Sequence, residues 1–323
     1  MAIIANTAVS FTFAGVTNRE DLADVIFNIS PTDCPFTSSI GKTKAQATLH
    51  EWQIDALAAA ATNAQIEGDD VTSYDAVTAP TRPGNRTQIL RKTLIVAKTE
   101  DAVKKAGMKK LFVYEILKKT KEIKRDLEFA CTQNQAIVVG ASGTARQMRG
   151  FEHWIGDNQG AFNGTNNSRG ATGANAASAT AALTDGTQRP LTEALLKPGL
   201  QQIFTNGGDV DQIHVGAFNK TVISAFSGNV TRTQDTSDKK LVSAIDIYVS
   251  DFGSHKVVAN RFSRSRTALL IDTDMWKLAT LRPLNTVDLA TTGDASKGML
   301  IHEVTLEACN EQASGVVADL TTS

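Results

Sequence analysis

The sequence carries almost no excess charge. Its 33 Lys and Arg stand against 34 Asp and Glu, a formal net charge of −1 over 323 residues. A dedicated nucleic-acid binder carries a strong basic excess, so this balance argues against that class. Cysteine is scarce: Cys34, Cys131 and Cys309 are an odd set without CxxC spacing, which supports neither a disulfide framework nor a zinc site. They read as buried or half-buried free thiols of a reducing compartment. Aromatic residues make up only 6%, so the core has to rest on Val, Ile, Leu and Ala. No apolar run approaches the roughly 20 residues of a membrane span, and no membrane partner is expected. The first 15 residues lack the basic start and apolar centre of a secretion signal. The Asn-x-Ser/Thr triplets at Asn163 and Asn166 therefore reflect composition, and the expected site of synthesis is a cytoplasm.

Catalytic patterns are missing too. Ile40-Gly41-Lys42-Thr43 resembles the end of a phosphate-binding loop, but the position of that motif's first glycine holds Phe36 and no strand precedes it. His50, His153, His214, His255 and His302 are scattered, without paired metal-ligand spacing. The run Gly140-Ala141-Ser142-Gly143 has the wrong spacing for a nucleophile elbow. The glycines between 164 and 173 form no GxGxxG after a strand. Asp69-Asp70 sits in a loop, where solvation accounts for it. The expectation is a protein with no catalytic, cofactor or metal site, and not an enzyme.

What the chain does contain is an unusual order of segments. Residues 1–44 read as an arm rich in Thr, Asn, Ser and Pro, with one helical patch at 21–29 marked by Leu22, Val25, Ile26 and Ile29. Ser30-Pro31 ends that patch, because a residue before proline is pushed out of the helical region. Residues 45–98 read as two strands, 48–54 and 87–98, joined by a long acidic and Ala-rich tip. Hairpin loops normally run 2–5 residues, so a tip of this length reads as functional or stabilised by a partner. Residues 108–137 carry one helical stripe: Phe112, Ile116, Thr120, Ile123, Leu127, Ala130, Asn134 and Ile137. At 1.5 Å per residue that is a helix of about 45 Å, with Lys118–Glu122 and Lys124–Glu128 as i,i+4 pairs on its outer side. The lysines at 104, 105, 109, 110, 118, 119 and 121 read as a solvated face rather than a phosphate-binding stripe.

Residues 156–190 are low in complexity and read as a polar surface loop. Helix, strand and helix then follow, the first capped by Thr192, bent at Pro198-Gly199 and ended by Gly207-Gly208. The strand covers 212–215, and the second helix carries Phe218, Val222, Ile223 and Phe226. From residue 241 strands dominate: 244–249, 257–259, 268–271, 276–281, 299–308 and 316–320, with a turn at 251–254. The fold class is mixed α+β.

This order is similar to the HK-97-like capsid fold of tailed phages: N-arm, E-loop, spine helix, apical (A) domain and peripheral (P) domain. Short runs also resemble the major capsid proteins of the family typified by podovirus SU-10. They include Asn28-Ile29-Ser30-Pro31-Thr32-Asp33 with Pro35-Phe36, His50-Glu51-Trp52, and Glu67-Gly68. Others are residues 102–107 and 122–128, Arg149-Gly150-Phe151 with Trp154-Ile155, and Glu303-Val304-Thr305-Leu306-Glu307. The resemblance implies an N-arm at 1–44, an E-loop at 45–98, and the spine helix with the first part of the P domain at 99–155. It places the polar loop at 156–190, the A domain at 191–272 and the C-terminal P-domain strands at 273–323.

It further implies a shell of hexamers and pentamers enclosing double-stranded DNA without sequence specificity, located in the virion and assembled in the host cytoplasm. The partners implied are the protein itself, a portal protein, a separate scaffolding protein and a decoration or cement protein. The chainmail known from this fold joins an E-loop lysine to a neighbour's asparagine. No lysine lies between Lys44 and Lys92 here, so no such link is expected. Two other readings stay open at this point. One is the shell of an encapsulin-type nanocompartment, the other an α/β hydrolase with a β-rich accessory domain.

Overall fold

The computed structural model describes residues 30–68, 70–71, 74–105, 107–156, 167–226 and 247–323. The helical patch expected at 21–29 and the acceptor residues Asn163 and Asn166 lie outside them. The chain first forms a short helix, α1 (Pro35–Ser39), and an edge strand, β1 (Gly41–Lys44). β2 (Leu49–Glu51) and β3 (Gly84–Arg86) pair antiparallel at the base of a long excursion. β4 (Gln88–Ala97) follows, then α2 (Lys98–Ala102) and the long α3 (Leu111–Thr132).

The excursion differs from the expected hairpin in one respect. Its return strand does not pair with the outgoing one beyond a three-residue register and a bridge between Ile54 and Thr81. β4 instead runs antiparallel to β11 (Ala295–Ala308), which pairs with β10 (Trp276–Asp288), while β1 adds to β10 in parallel. The four-stranded sheet is therefore ordered β1-β10-β11-β4. Alternation along β4 explains the choice: Leu90 and Val96 are buried, whereas Ile89 and Ile95 stay exposed on the other face.

α3 covers the inner face of this sheet. Ile123, Leu127, Ala130 and Cys131 join Leu278, Leu300, Val304 and Leu306 in one core. The helix is shorter than the stripe suggested, 22 residues or about 33 Å. No side chain caps it at Lys110; Asp101 of α2 does so from outside, accepting from the N–H groups of Leu111 at 2.9 Å and Phe112 at 3.3 Å. At the other end Thr132 Oγ1 donates to the Glu128 carbonyl at 2.9 Å and Gln133 turns extended. Asn134 and Ile137 thus lie beyond the helix, with Ile137 still buried.

The second sheet has six strands, ordered β5-β12-β9-β6-β8-β7. They are β5 (Asn167–Ser168), β6 (Gln212–Val215), β7 (Ile247–Ser250), β8 (Gly253–Ala259), β9 (Ala268–Ile271) and β12 (Gly315–Val317). α5 (Glu193–Thr205) and α6 (Ala217–Ser224) cover one face; α4 (Phe151–Ile155) belongs to the first core. β9 is buried throughout because its alternate residues feed different cores: Leu269 and Ile271 the first, Ala268 and Leu270 the second. The strand expected at 316–320 is β12, inserted between β5 and β9, so the sheet built by residues 212–271 is completed by chain from both outside segments.

α5 closes as its sequence predicts. Gly207, at φ 88°, lets the N–H groups of Gly208 and Gly207 reach the carbonyls of Ile203 and Phe204, both at 3.0 Å. Thr192 occupies the N-cap, but its side chain makes no capping bond; its carbonyl accepts from Leu195 and Leu196 instead.

Candidate functional site

The residues weighed for catalysis do not converge. Gly41, Lys42 and Thr43 form the edge strand β1, preceded by the five-residue α1 rather than by a strand. Ser142 and Gly143 sit in a tight turn closed by Ala141 and Thr144. No group of three His, Cys, Asp or Glu among the described residues could hold a metal ion, and no described helix is long and apolar enough to cross a membrane. Burial pushes the Cys34 thiol up to about 11 and raises those of Cys131 and Cys309, the opposite of a reactive thiolate. Asp70 is exposed in the tip of the excursion, and Asp69 lies outside the described residues.

What the interior does hold is a set of buried polar clamps. The Glu128 carboxylate accepts from the N–H groups of Phe36 at 2.9 Å and Thr37 at 2.8 Å, and from Asn260 Nδ2 at 2.7 Å. It fastens α1, α3 and the loop after β8 to one another, so the expected surface pair with Lys124 is not formed. Glu122 likewise pairs with Lys119 at 2.9 Å, and Lys118 turns to Glu115 at 3.4 Å. Glu152 receives both oxygens' bonds from Arg264 Nη1, at 2.9 and 3.0 Å, with Arg169 at 3.3 Å; burial raises its pKa while the two guanidiniums oppose that. Asp319 accepts from Gly170 N at 3.0 Å and Arg266 at 2.7 Å.

Two histidines are locked neutral among these groups. His153 Nδ1 accepts from Arg149 Nε at 2.8 Å while Nε2 donates to the Ala181 carbonyl at 2.6 Å. His214 Nε2 donates to Gln212 Oε1 at 2.9 Å, leaving Nδ1 facing the Asn260 amide. Burial lowers both to about 4. In the unfolded chain they take up protons near pH 6.5, so their contribution is complete above that value and is lost as pH falls toward 4. Urea unfolding of the unassembled protein should lose on the order of 3 kcal/mol per histidine across this window; a flat profile from pH 7 to 4.5 would contradict the neutral assignment.

Clamps of the same kind hold the root of the excursion. Asn85 Oδ1 accepts from Arg149 N at 2.8 Å, and its Nδ2 donates to the Leu306 carbonyl at 2.7 Å. His50 Nε2 meets Glu307 at 2.8 Å, and the Trp52 ring lies 5.6 Å from that of Trp154. Gly84 has no room for a side chain, since a Cβ would stand 2.8 Å from Glu51 Cγ and 3.1 Å from the His50 carbonyl oxygen. Beyond this anchored root support ends: every described residue from 55 to 82 is exposed. Leu57 and Val77 are each 99% accessible, and Ile66, Val71 and Tyr74 are nearly as bare. Exposed apolar side chains carried on a clamped root have the character of a contact surface.

The sequence model of the SU10 major capsid protein family matches residues 4–321. The chain belongs to that family. As an SU10-family major capsid protein it is a structural component of a phage virion that assembles with itself into the capsid, and not an enzyme. It is 28% identical over 328 residues to the major capsid protein of Escherichia phage Phieco32, covering 91% of this chain and 92% of that protein. Among solved structures, a chain of the cyanophage A-1(L) capsid asymmetric unit superposes with a TM-score of 0.68 at 14% identity, covering 98% of this capsid protein and 100% of that chain. The capsid of the native GTA particle gives 0.65 at 9% identity, with coverage of 98% and 100%. These two likenesses show the fold, the α+β HK-97-like capsid fold.

Proposed function

We propose that this major capsid protein forms the hexamers and pentamers of an icosahedral head that encloses double-stranded DNA. The exposed tip at 55–82 carries this reading, because a subunit whose longest extension rests on nothing of its own needs neighbours to cover it. In this reading residues 1–44 are the N-arm and 45–98 the E-loop, both lapping onto adjacent subunits. Residues 99–155 give the spine and first part of the P domain, 156–190 the polar surface loop, 191–272 the A domain facing the symmetry axes, and 273–323 the C-terminal P-domain strands. A portal protein, a separate scaffolding protein and a decoration or cement protein complete the particle, which forms in the host cytoplasm. Expressed with its scaffold, the protein should sediment as capsomers, shells or tubes. A monodisperse monomer at all salt and protein concentrations would refute the reading. Limited proteolysis should cut the tip readily in the free subunit and hardly at all in the shell.

The shell is held without covalent cross-links. A Lys–Asn isopeptide needs an amine that can lose its proton, and between Lys44 and Lys92 the chain offers only Arg82, Arg86 and Arg91, whose guanidiniums stay protonated. Lys92, at the base of the excursion, is engaged with Asp126 at 2.7 Å. Boiled, reduced particles should therefore give one band near 34.5 kDa. A ladder of multimers containing Lys–Asn linked peptides would show the opposite.

A further inference from the structure

The outer face of α3 bears a shallow groove that nothing described so far fills. One wall is Ser30 and Thr32; the other is Tyr114, Leu117, Lys118, Lys121 and Arg125, with Glu122 beside them. Its chemistry is mixed. Leu117 in its wall is 61% exposed and Val113, one turn before it and outside the lining, is 52% exposed, while residues 98–125 hold ten basic and four acidic side chains. Lys109, Lys110 and Lys121 form no ion pair among the described residues, and Glu122 is taken up by Lys119. Exposed leucine and valine among cations do not suit a phosphate backbone. They suit an acidic segment with an apolar face of its own.

The path of the chain shows where such a segment comes from. Phe36 and Thr37 are bonded to Glu128, the Cys34 thiol faces the Lys124 carbonyl at 3.6 Å, and Ser30 and Thr32 border the groove. Read backwards, residues 36 to 30 therefore track along α3 from its C-terminal end toward its N-terminal half. The residues that precede them in sequence carry Glu20, Asp21 and Asp24, with Leu22, Val25, Ile26 and Ile29 at helical spacing. Nine residues of helix span about 14 Å. That is enough to match the stretch of α3 between Leu117 and the lysines before Leu111.

We propose that residues 20–29 dock in cis in this groove, the apolar residues on Val113, Tyr114 and Leu117 and the carboxylates on the lysines at 109, 110, 118 and 121. The proposal concerns the free subunit and is independent of the shell reading above. Arg19 is the only Lys or Arg before Lys42, so an arginine-specific protease reports on this segment through one bond. In the unassembled full-length protein, Lys118→Glu with Lys121→Glu should speed cleavage after Arg19 about tenfold, the size expected from losing two surface ion pairs. Adding Asp21→Lys with Asp24→Lys should restore the slow rate.

Equal rates in all three proteins would overturn the proposal, as would protection that appears only when DNA is added. The copy is identified by carbodiimide cross-linking of subunits premixed from ¹⁵N-labelled and unlabelled stocks. Links from Asp21 or Asp24 to these lysines should join peptides of like isotope, and mixed-isotope links would assign the groove to a neighbour's arm instead.

Discussion

Replacing Glu128 by alanine is expected to destabilise the subunit by about 3–5 kcal/mol, the summed cost of leaving three donors unpaired and opening a void. The carboxylate is fully buried, and the N–H groups of Phe36 and Thr37 and the amide of Asn260 all donate to it. Alanine leaves these donors without their acceptor. It also leaves a void between α1 and α3, beside Phe36, whose ring packs edge-on against Phe151 at 5.7 Å. Glu128→Gln should cost less, since one oxygen still accepts from Phe36 and Asn260 while its NH₂ is set against the Thr37 N–H. Urea unfolding followed by tryptophan fluorescence reads the difference directly. An alanine variant within about 1 kcal/mol of wild type would mean that the clamp holds nothing together.

Glu128 also shows where reading the sequence stops. In one dimension it sits four residues after Lys124 and looks like half of a surface pair. The same stripe that predicts α3 from Ile123, Leu127 and Ala130 places residue 128 at the margin of the buried face. Its side depends on backbone donors 92 and 91 positions away, which no local pattern contains. β4 fails for a similar reason. Its alternation was legible, but its partner is β11, some 200 residues on, and strand pairing at that range is set by the whole sheet. Strand β12, lodged between β5 and β9, belongs to the same class. By contrast, the end of α5 at Gly207, the strand at 212–215, the turn at 251–254 and the unsupported tip were all legible, because each depends on neighbours in sequence. The tip was the most informative of these. Its lack of a periodic apolar face, its acidic run and its prolines already implied a segment with no core of its own.

Excising the tip should separate folding from assembly completely. Ile54 and Thr81 form a closely paired antiparallel bridge, with both N–H···O bonds at 2.8 Å. Such a pair is what a two-residue hairpin turn closes, so residues 55–80 can be replaced by Asn-Gly without disturbing β2 or β3. All described residues removed are exposed and contribute little buried area to the subunit, so the change in unfolding free energy should stay within about 1 kcal/mol. Assembly should nevertheless disappear. Each tip offers Leu57, Ile66, Val71, Tyr74 and Val77 to a partner, and in a closed shell every subunit both gives and receives one tip, so the deletion removes that contact at every position at once. Sedimentation velocity on the purified variant should show only subunits or small oligomers where the wild type gives shells. Particles of normal size and yield from a tipless protein would mean that the excursion decorates the capsid without closing it.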